Sequence, residues 1–241
     1  MRIAIVSDIH GNLDAFHNVL SDIDQSRVEA IVSLGDNIGY GPEPQQVVEL
    51  IQKRNIPSVI GNHELAITDE RILECFNPLA RQSIQKTVEL LNESALDYLC
   101  RLERCAIRYG CRFVHGLPPR SATTYLFEVT DDKLGDLFGE YTEPLCFIGH
   151  THTLELLTFD GLEIVREPLR EGIKPLSPGR RHLVNCGSVG QPRDLNNKAK
   201  YLILDTAENH LEVRFVSYDI SAVVQKILAA GLPEAHAARL W

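Results

Sequence analysis

Long apolar runs, cysteine pairs and surplus positive charge are all missing from this sequence. No stretch approaches the roughly 20 consecutive apolar residues that a bilayer-crossing helix needs. The opening Met1-Arg2-Ile3-Ala4-Ile5-Val6-Ser7-Asp8 meets an acid before the apolar core of an export signal could form. A cytoplasmic protein with no membrane segment is therefore expected. The 6 cysteines (75, 100, 105, 111, 146 and 186) include no C-x-x-C pair. Without an export signal, a disulfide framework is poorly supported, and reduced, mostly buried thiols are expected. Thirty-three acidic against 24 basic side chains give a net charge of −9, which repels a polyphosphate backbone and disfavours duplex nucleic acid as a partner. There is no long linker, internal repeat or low-complexity tract, so residues 1–241 are expected to form a single domain. The remaining composition, 44% hydrophobic and 24% charged, is that of a folded globular chain and excludes disorder over most of its length.

The first two-thirds alternates short apolar runs with amphipathic stretches. Arg2 to Ser7 reads as a buried strand, after which Leu13, Phe16, Val19, Leu20 and Ile23 recur at helical spacing. Ala30 to Leu34 is strand-like again. A Gly/Pro-rich loop from Gly35 to Pro44 and a helix carrying Val47, Val48, Leu50 and Ile51 follow, with Pro57 to Ile60 as a third strand. Asn77-Pro78 begins a helix and Ser94 a second, so that 76–100 forms a helical, cap-like insertion. Beyond Arg104 the texture becomes β-prone and helix is expected to be scarce until a final amphipathic helix and tail over 219–241. Strand–helix units followed by a run of strands predict an α/β fold in which a second sheet packs on the first, with helices outside.

Five polar clusters each follow an apolar run: Asp8-Ile9-His10, Gly35-Asp36, Gly61-Asn62-His63-Glu64, His115-Gly116 and Gly149-His150-Thr151-His152. The carboxyl ends of strands in open α/β sheets share one rim, so the five are expected to converge. Asp8 and His10 are two apart, as are His150 and His152. In extended backbone each pair faces one side and could grip one metal ion. Two carboxylates, an amide oxygen and several imidazoles without a thiolate suit Mn, Fe or Zn, and Asp36 could bridge two ions. The glycines beside these ligands would let backbone turn sharply and approach an ion closely.

Taken in order, D-x-H, G-D, G-N-H-[ED], a lone His and G-H-T-H resemble the calcineurin-like metallophosphoesterase superfamily. Gly35 to Pro42 and Gly187 to Arg193 resemble its small single-domain bacterial and archaeal branch. The resemblance implies a four-layer α/β/β/α sandwich, two mixed β-sheets flanked by helices. It implies two divalent ions, with Mn or Fe favoured, one held by Asp8, His10 and His152, the other by Asn62, His115 and His150, and Asp36 bridging. It implies that His63 is not a ligand but faces the substrate phosphate, so that His63 and Asp36 are the catalytic candidates. Two ions could clamp the phosphate and activate water as the nucleophile, with no protein nucleophile needed.

Tyr40 and Arg193 join Asn62 and His63 as candidates for substrate contact, Arg193 because a guanidinium fork suits phosphate. The bland alternative for Arg193 is a surface ion pair with Asp194. Glu64 could orient a ligand imidazole, or simply cap a helix or face solvent. Asn12 could cap the first helix. His17, His182, His210 and His236 read as ordinary surface or core histidines, and Cys186, where the family's pattern usually has Pro, as a buried inert thiol. The expected activity is phosphodiester hydrolysis of a small or nucleotide-like molecule. The alternatives are phosphomonoesterase or protein phosphatase activity, dinucleoside-polyphosphate hydrolysis, nuclease activity, and a non-catalytic binding scaffold of the same fold.

Overall fold

The computed structural model describes residues 1–241. In chain order it contains β1 (Arg2–Val6), α1 (Leu13–Gln25), β2 (Ala30–Ser33), α2 (Pro44–Lys53), α3 (Asn62–Thr68), α4 (Glu70–Glu74), α5 (Pro78–Glu89) and α6 (Glu93–Cys100). There follow β3 (Cys105–Arg108), β4 (Cys111–Val114), α7 (Asp131–Gly139), β5 (Leu145–Ile148), β6 (Leu154–Phe159), β7 (Ile164–Pro168), β8 (Gly172–Pro175), β9 (Arg181–Cys186), β10 (Ala199–Asp205), β11 (His210–Val216), α8 (Ile220–Ala229) and α9 (Glu234–Ala238). None of the helices is long and apolar enough to cross a membrane.

The strands form a five-stranded sheet in the order β2-β1-β10-β11-β8 and a six-stranded sheet in the order β3-β4-β5-β9-β6-β7. The period-2 alternation of β1 shows why they stack. Ile3 and Ile5 point between the sheets, in one cluster with Phe113, Phe147, Val184 and Leu202. Ala4 and Val6 point the other way, onto Phe16, Val19 and Ile23 of α1 and Val47 and Ile51 of α2. Both faces of the strand are buried, which explains its unbroken apolar run. On the outer face of the second sheet, Cys146, Ile148, Leu157 and Leu183 pack against Leu134 and Phe138 of α7. The result is the four-layer α/β/β/α arrangement.

The β-rich part is poor in helix, as expected, but α7 lies within it and supplies the fourth layer. Its short apolar face, Leu134 and Phe138 among acidic neighbours, is too sparse to stand out by periodicity. Pro57 to Ile60 is not a strand: its pairing is limited to isolated bridges, Ser33 with Ser58 and Val59 with Glu103. Pro57 has no N–H, and the ladder changes partner at once, Val59 N donating to Ser33 O (3.1 Å) and Ile60 N to Glu103 O (2.8 Å). The short edge strand β8, flanked by Gly172 and Pro175, was also hidden by its turn-like composition.

Helix starts follow their caps. Asn12 Oδ1 accepts from Ala15 N (3.1 Å) at the head of α1, and Asn77 Oδ1 from Ala80 N (3.0 Å) at the head of α5, where Pro78 occupies the first turn.

Candidate metal centre

β1 and β2 run parallel, as do β4, β5 and β9, so the loops after these strands open on one rim. Those loops bring Asp8, His10, Asp36, Asn62, His115, His150 and His152 together. Asp8 Oδ1 lies 3.1 Å from His152 Nε2 and 3.7 Å from His10 Nε2. Asp36 Oδ2 lies 3.2 Å from His115 Nε2 and 3.8 Å from His10 Nε2, so one oxygen joins the two halves of the cluster. His115 Nε2 is 3.1 Å from Asn62 Oδ1 and 3.2 Å from His150 Nδ1.

The D-x-H and H-T-H pairs are not extended. Asp8, His10, Asp36, His150 and His152 all have positive φ, between 50° and 69°. His150 and His152 fall into different clusters, the first with Asp36 and His115 and the second with Asp8 and His10, while Asp8 and His10, at similar φ, share one. The expectation that each pair grips one ion therefore holds in space only for Asp8 and His10. Gly61 and Gly149 are required by close approach. A Cβ on Gly61 would stand 2.1 Å from Asp36 Oδ1, and one on Gly149 2.0 Å from Ser7 Oγ.

Four imidazoles are tied from behind. His10 Nδ1 donates to Ile38 O (2.9 Å), His115 Nδ1 to Leu34 O (2.8 Å), His152 Nδ1 to Gln191 O (2.5 Å) and His150 Nε2 to Thr123 O (3.2 Å). Each backbone carbonyl fixes a tautomer and turns the other nitrogen's lone pair inward. Two pairs of inward nitrogens then face each other, His10 with His152 at 3.1 Å and His115 with His150 at 3.2 Å, and with neutral rings no N–H is left to place between them. Asp8 Oδ1, fully buried, has no hydrogen-bond donor at all. Lone pairs and a bare carboxylate oxygen converging in a buried space are repulsive unless a cation sits among them. The donor set fits divalent metal.

The electrostatics agree. Burial resists ionisation of Asp36, but the neighbouring imidazoles of His115 and His63 hold it well below the usual carboxylate range. Burial also opposes a charge on His115, yet Asp36 and Asp8 lift it to about 9, so the cluster draws positive charge to this point. Burial drives His150 down to about 3 and His63 down to about 4.

Glu64 touches no imidazole. Its buried carboxylate accepts from Asp36 N (2.9 Å), Asn37 N (2.7 Å) and Gly61 N (2.8 Å), so it caps α3 and at the same time holds the Asp36 loop. Burial and the Asp36 charge push its pKa up to about 7. Tyr40 packs 4.5 Å from the rings of His10 and of His63. His236, read as an ordinary histidine, lies 4.6 Å from the other side of Tyr40. Only folding of the C-terminal segment onto the rim reveals that position. His182 is a core residue bonded to Thr158 Oγ1 and Ser177 O, and burial raises the Cys186 thiol well above its ordinary value, so it is inert. Asp194 pairs with Lys200 at 2.6 Å rather than with Arg193, whose guanidinium bonds Gln191 Oε1 (3.2 Å) and lies 6.0 Å over Tyr40.

Residues 1–209 match the calcineurin-like phosphoesterase superfamily domain. The chain belongs to that superfamily. An uncharacterized protein of Methanocaldococcus jannaschii is 36% identical over 99% of this chain and 97% of its own. The crystal structure of a metallophosphoesterase from Sphaerobacter thermophilus is 37% identical with a TM-score of 0.85, covering 100% of this chain and 98% of that one. A hypothetical protein from Pyrococcus horikoshii shares the fold (TM-score 0.78, 19% identity, 100% of this chain and 97% of that one). This member of the calcineurin-like superfamily is a metal-dependent phosphoester hydrolase, and its buried His/Asp clusters have the donor atoms to hold a metal ion.

Proposed function

We propose that the chain is a dimetal phosphodiesterase acting on a small, nucleotide-like substrate. The observation that carries this reading is a cavity of about 590 Å³ that opens on Asn62 and His150 and is walled by Tyr40, Phe76, Asn77, Thr123 and Tyr125. Tyr125 stacks on His150 at 3.7 Å. No lysine or arginine lines the cavity, which suits an uncharged or aromatic ester arm better than the extra charge of a monoester. Asn77 and Phe76 come from the 76–100 segment and Thr123 and Tyr125 from the loop after His115. These two stretches are the proposed cap of a single 1–241 domain.

In this reading Asp8, His10, His152 and Asp36 hold one ion, Mn or Fe before Zn, and Asp36, Asn62, His115 and His150 hold the second. Bound divalent ions supply Lewis acidity toward phosphate oxygens and an activated water for attack on phosphorus. Asp36 would contribute to both ions, and its Oδ1 accepts the backbone N–H of His63 at 2.9 Å, which fixes the carboxylate's orientation. His63 differs from the four tethered imidazoles: its Nδ1 has no partner, so no carbonyl fixes its tautomer. Its Nε2 lies 3.8 Å from Asp36 Oδ2, where the neutral ring that burial favours would offer an N–H to the phosphate or leaving oxygen. Asn62 binds an oxygen of the scissile phosphate, Arg193 contacts the substrate from beside Tyr40, and Tyr40 holds the rings of His10 and His63 in place. The net charge of −9 favours small phosphoesters over duplex nucleic acid as substrates.

Hydrolysis of bis(p-nitrophenyl) phosphate and p-nitrophenyl phosphate, each with Mn, tests the reading. The diester is expected to turn over faster, and His63→Asn is expected to lower kcat by about 10²- to 10⁴-fold with metal content kept. Faster turnover of the monoester, or inactivity on both, overturns it.

A further inference from the structure

On the C-terminal side of Tyr40 lies a second, open groove of about 540 Å³, lined by Arg193, Asn196, Asn197, Arg239, Trp241 and Leu195. Two arginines line this groove in a chain with 33 acidic and 24 basic residues. Neither guanidinium has a carboxylate within 4.0 Å, and the obvious candidate, Asp194, is taken by Lys200. No acidic side chain lines the groove. The two largest apolar side chains are turned outward, Trp241 at 68% exposure and Leu195 fully exposed.

Arg193 connects the groove to the metal centre. It lies 6.0 Å from the Tyr40 ring, which lies 4.5 Å from the His10 ring, so its guanidinium is no more than about 10.5 Å from that ligand. The rim thus has two unlike arms. The cavity on the Phe76 side has no cation, while the groove has two unpaired guanidinium groups, two amides and an indole face.

We propose that this groove is a subsite for a second phosphate and its attached base on the arm of the diester opposite the Phe76 cavity. The second phosphate sits between Arg193 and Arg239, whose planar forks suit its oxygens, and takes further hydrogen bonds from the side-chain amides of Asn196 and Asn197. The base lies on Trp241, since any base offers a π-face to an indole. The substrate class is then a phosphodiester of a nucleoside that carries another phosphate. The proposal rests on the phosphodiesterase reading for which arm is cleaved, and on the groove alone for what binds there.

Trp241 is the single tryptophan, so intrinsic fluorescence reports on the groove independently of turnover. Titration of the Mn-loaded protein with thymidine 3′,5′-bisphosphate is expected to quench that fluorescence saturably, at a concentration about 10-fold or more below that needed with thymidine 5′-monophosphate. Arg239→Gln is expected to remove the difference, and Trp241→Ala to weaken bisphosphate inhibition of diester hydrolysis by about 5- to 150-fold. In turnover, the p-nitrophenyl ester of thymidine 5′-phosphate is expected to gain about 10-fold in kcat/KM when it also carries a 3′-phosphate, with the ratio falling to about one in Arg239→Gln. Equal quenching by the two nucleotides, no quenching, or a preference that survives Arg239→Gln overturns the subsite. Arg239-dependent discrimination in fluorescence, together with inactivity on every diester, supports the subsite while overturning the phosphodiesterase reading.

Discussion

Glu64→Gln isolates the part that buried hydrogen bonding plays in building the metal centre. The Glu64 carboxylate accepts three backbone N–H groups, from Asp36, Asn37 and Gly61, at 2.7–2.9 Å. Glutamine keeps one acceptor oxygen and turns an NH2 toward donors. With that oxygen in the place of Oε2, the bonds to Asp36 and Gly61 survive and the Asn37 N–H faces another donor. The opposite flip loses two bonds. Each bond to a charged acceptor contributes about 1.5–3 kcal/mol, and a buried unsatisfied donor costs about 1–3 kcal/mol. The milder flip therefore costs about 2.5–6 kcal/mol, which for a chain of this size lowers Tm by about 5–24 °C. Glu64 touches no metal-ligand side chain, so its effect on metal binding passes through the position of Asp36. Calorimetric unfolding above the pH region near 7 to which burial pushes this carboxyl, combined with elemental analysis after Mn loading, reads both consequences. A Tm within about 1 °C of wild type with unchanged metal content refutes the role assigned to the three donors.

Three further outcomes are expected. Mn at about 100 times its Kd stabilises the native state by about 2.7 kcal/mol and raises Tm by about 5–10 °C, reversed by a chelator, and an unchanged Tm sinks the case for a cation among the facing lone pairs. Gly149→Ala places a Cβ 2.0 Å from Ser7 Oγ and 2.6 Å from Asp8 Oδ2, so Mn-dependent activity and the Mn-induced rise in Tm are both expected to fall, and wild-type values for both contradict the crowding. His236 is held down to about 4 by burial, aided by the charges of Arg239 and Arg193, against 6.5 when exposed. Below about 6.5 the unfolded chain therefore binds a proton that the folded chain resists, and stability falls as pH drops toward about 4. His236→Gln is expected to flatten that part of the pH dependence of the urea midpoint, and an unaltered slope contradicts it.

Much of the fold was legible because burial leaves a periodic imprint. The alternation in β1 and the helical spacing of Phe16, Val19 and Ile23 report a strand buried on both faces and the helix that covers it. What stayed hidden had a weak or divided imprint. α7 buries only Leu134 and Phe138, and α3 is seven residues long, its helical signal, Glu64 three positions after Gly61, local and easily read as loop. The residues of the centre were legible by type and order, and the family resemblance implied their partition. Spacing alone did not, because it set His150 and His152 on one side, whereas they fall into different clusters.

The left-handed backbone of the centre shows what the surrounding structure must supply. Asp8, His10, Asp36, Tyr40, His150 and His152 are non-glycine residues at positive φ, each costing about 1–3 kcal/mol where a side chain is present. They persist because neighbouring loops bond to one another through backbone groups. Asp8 N donates to Gly35 O (3.1 Å), His10 N to Asp36 O (2.9 Å), Gly11 N to Asn37 O (2.8 Å) and Gly190 N to Asp8 O (2.9 Å). These bonds join the loop after β1 to those after β2 and β9, and Glu64 ties the loop after β2 to the head of α3. The loops are thus a continuation of the sheets rather than slack connections, and the ligands are held in place before a cation arrives. A centre built this way exchanges local backbone strain for lone pairs aimed at one another, and the repulsion between them makes the cation part of the folded state's stability as well as of its chemistry.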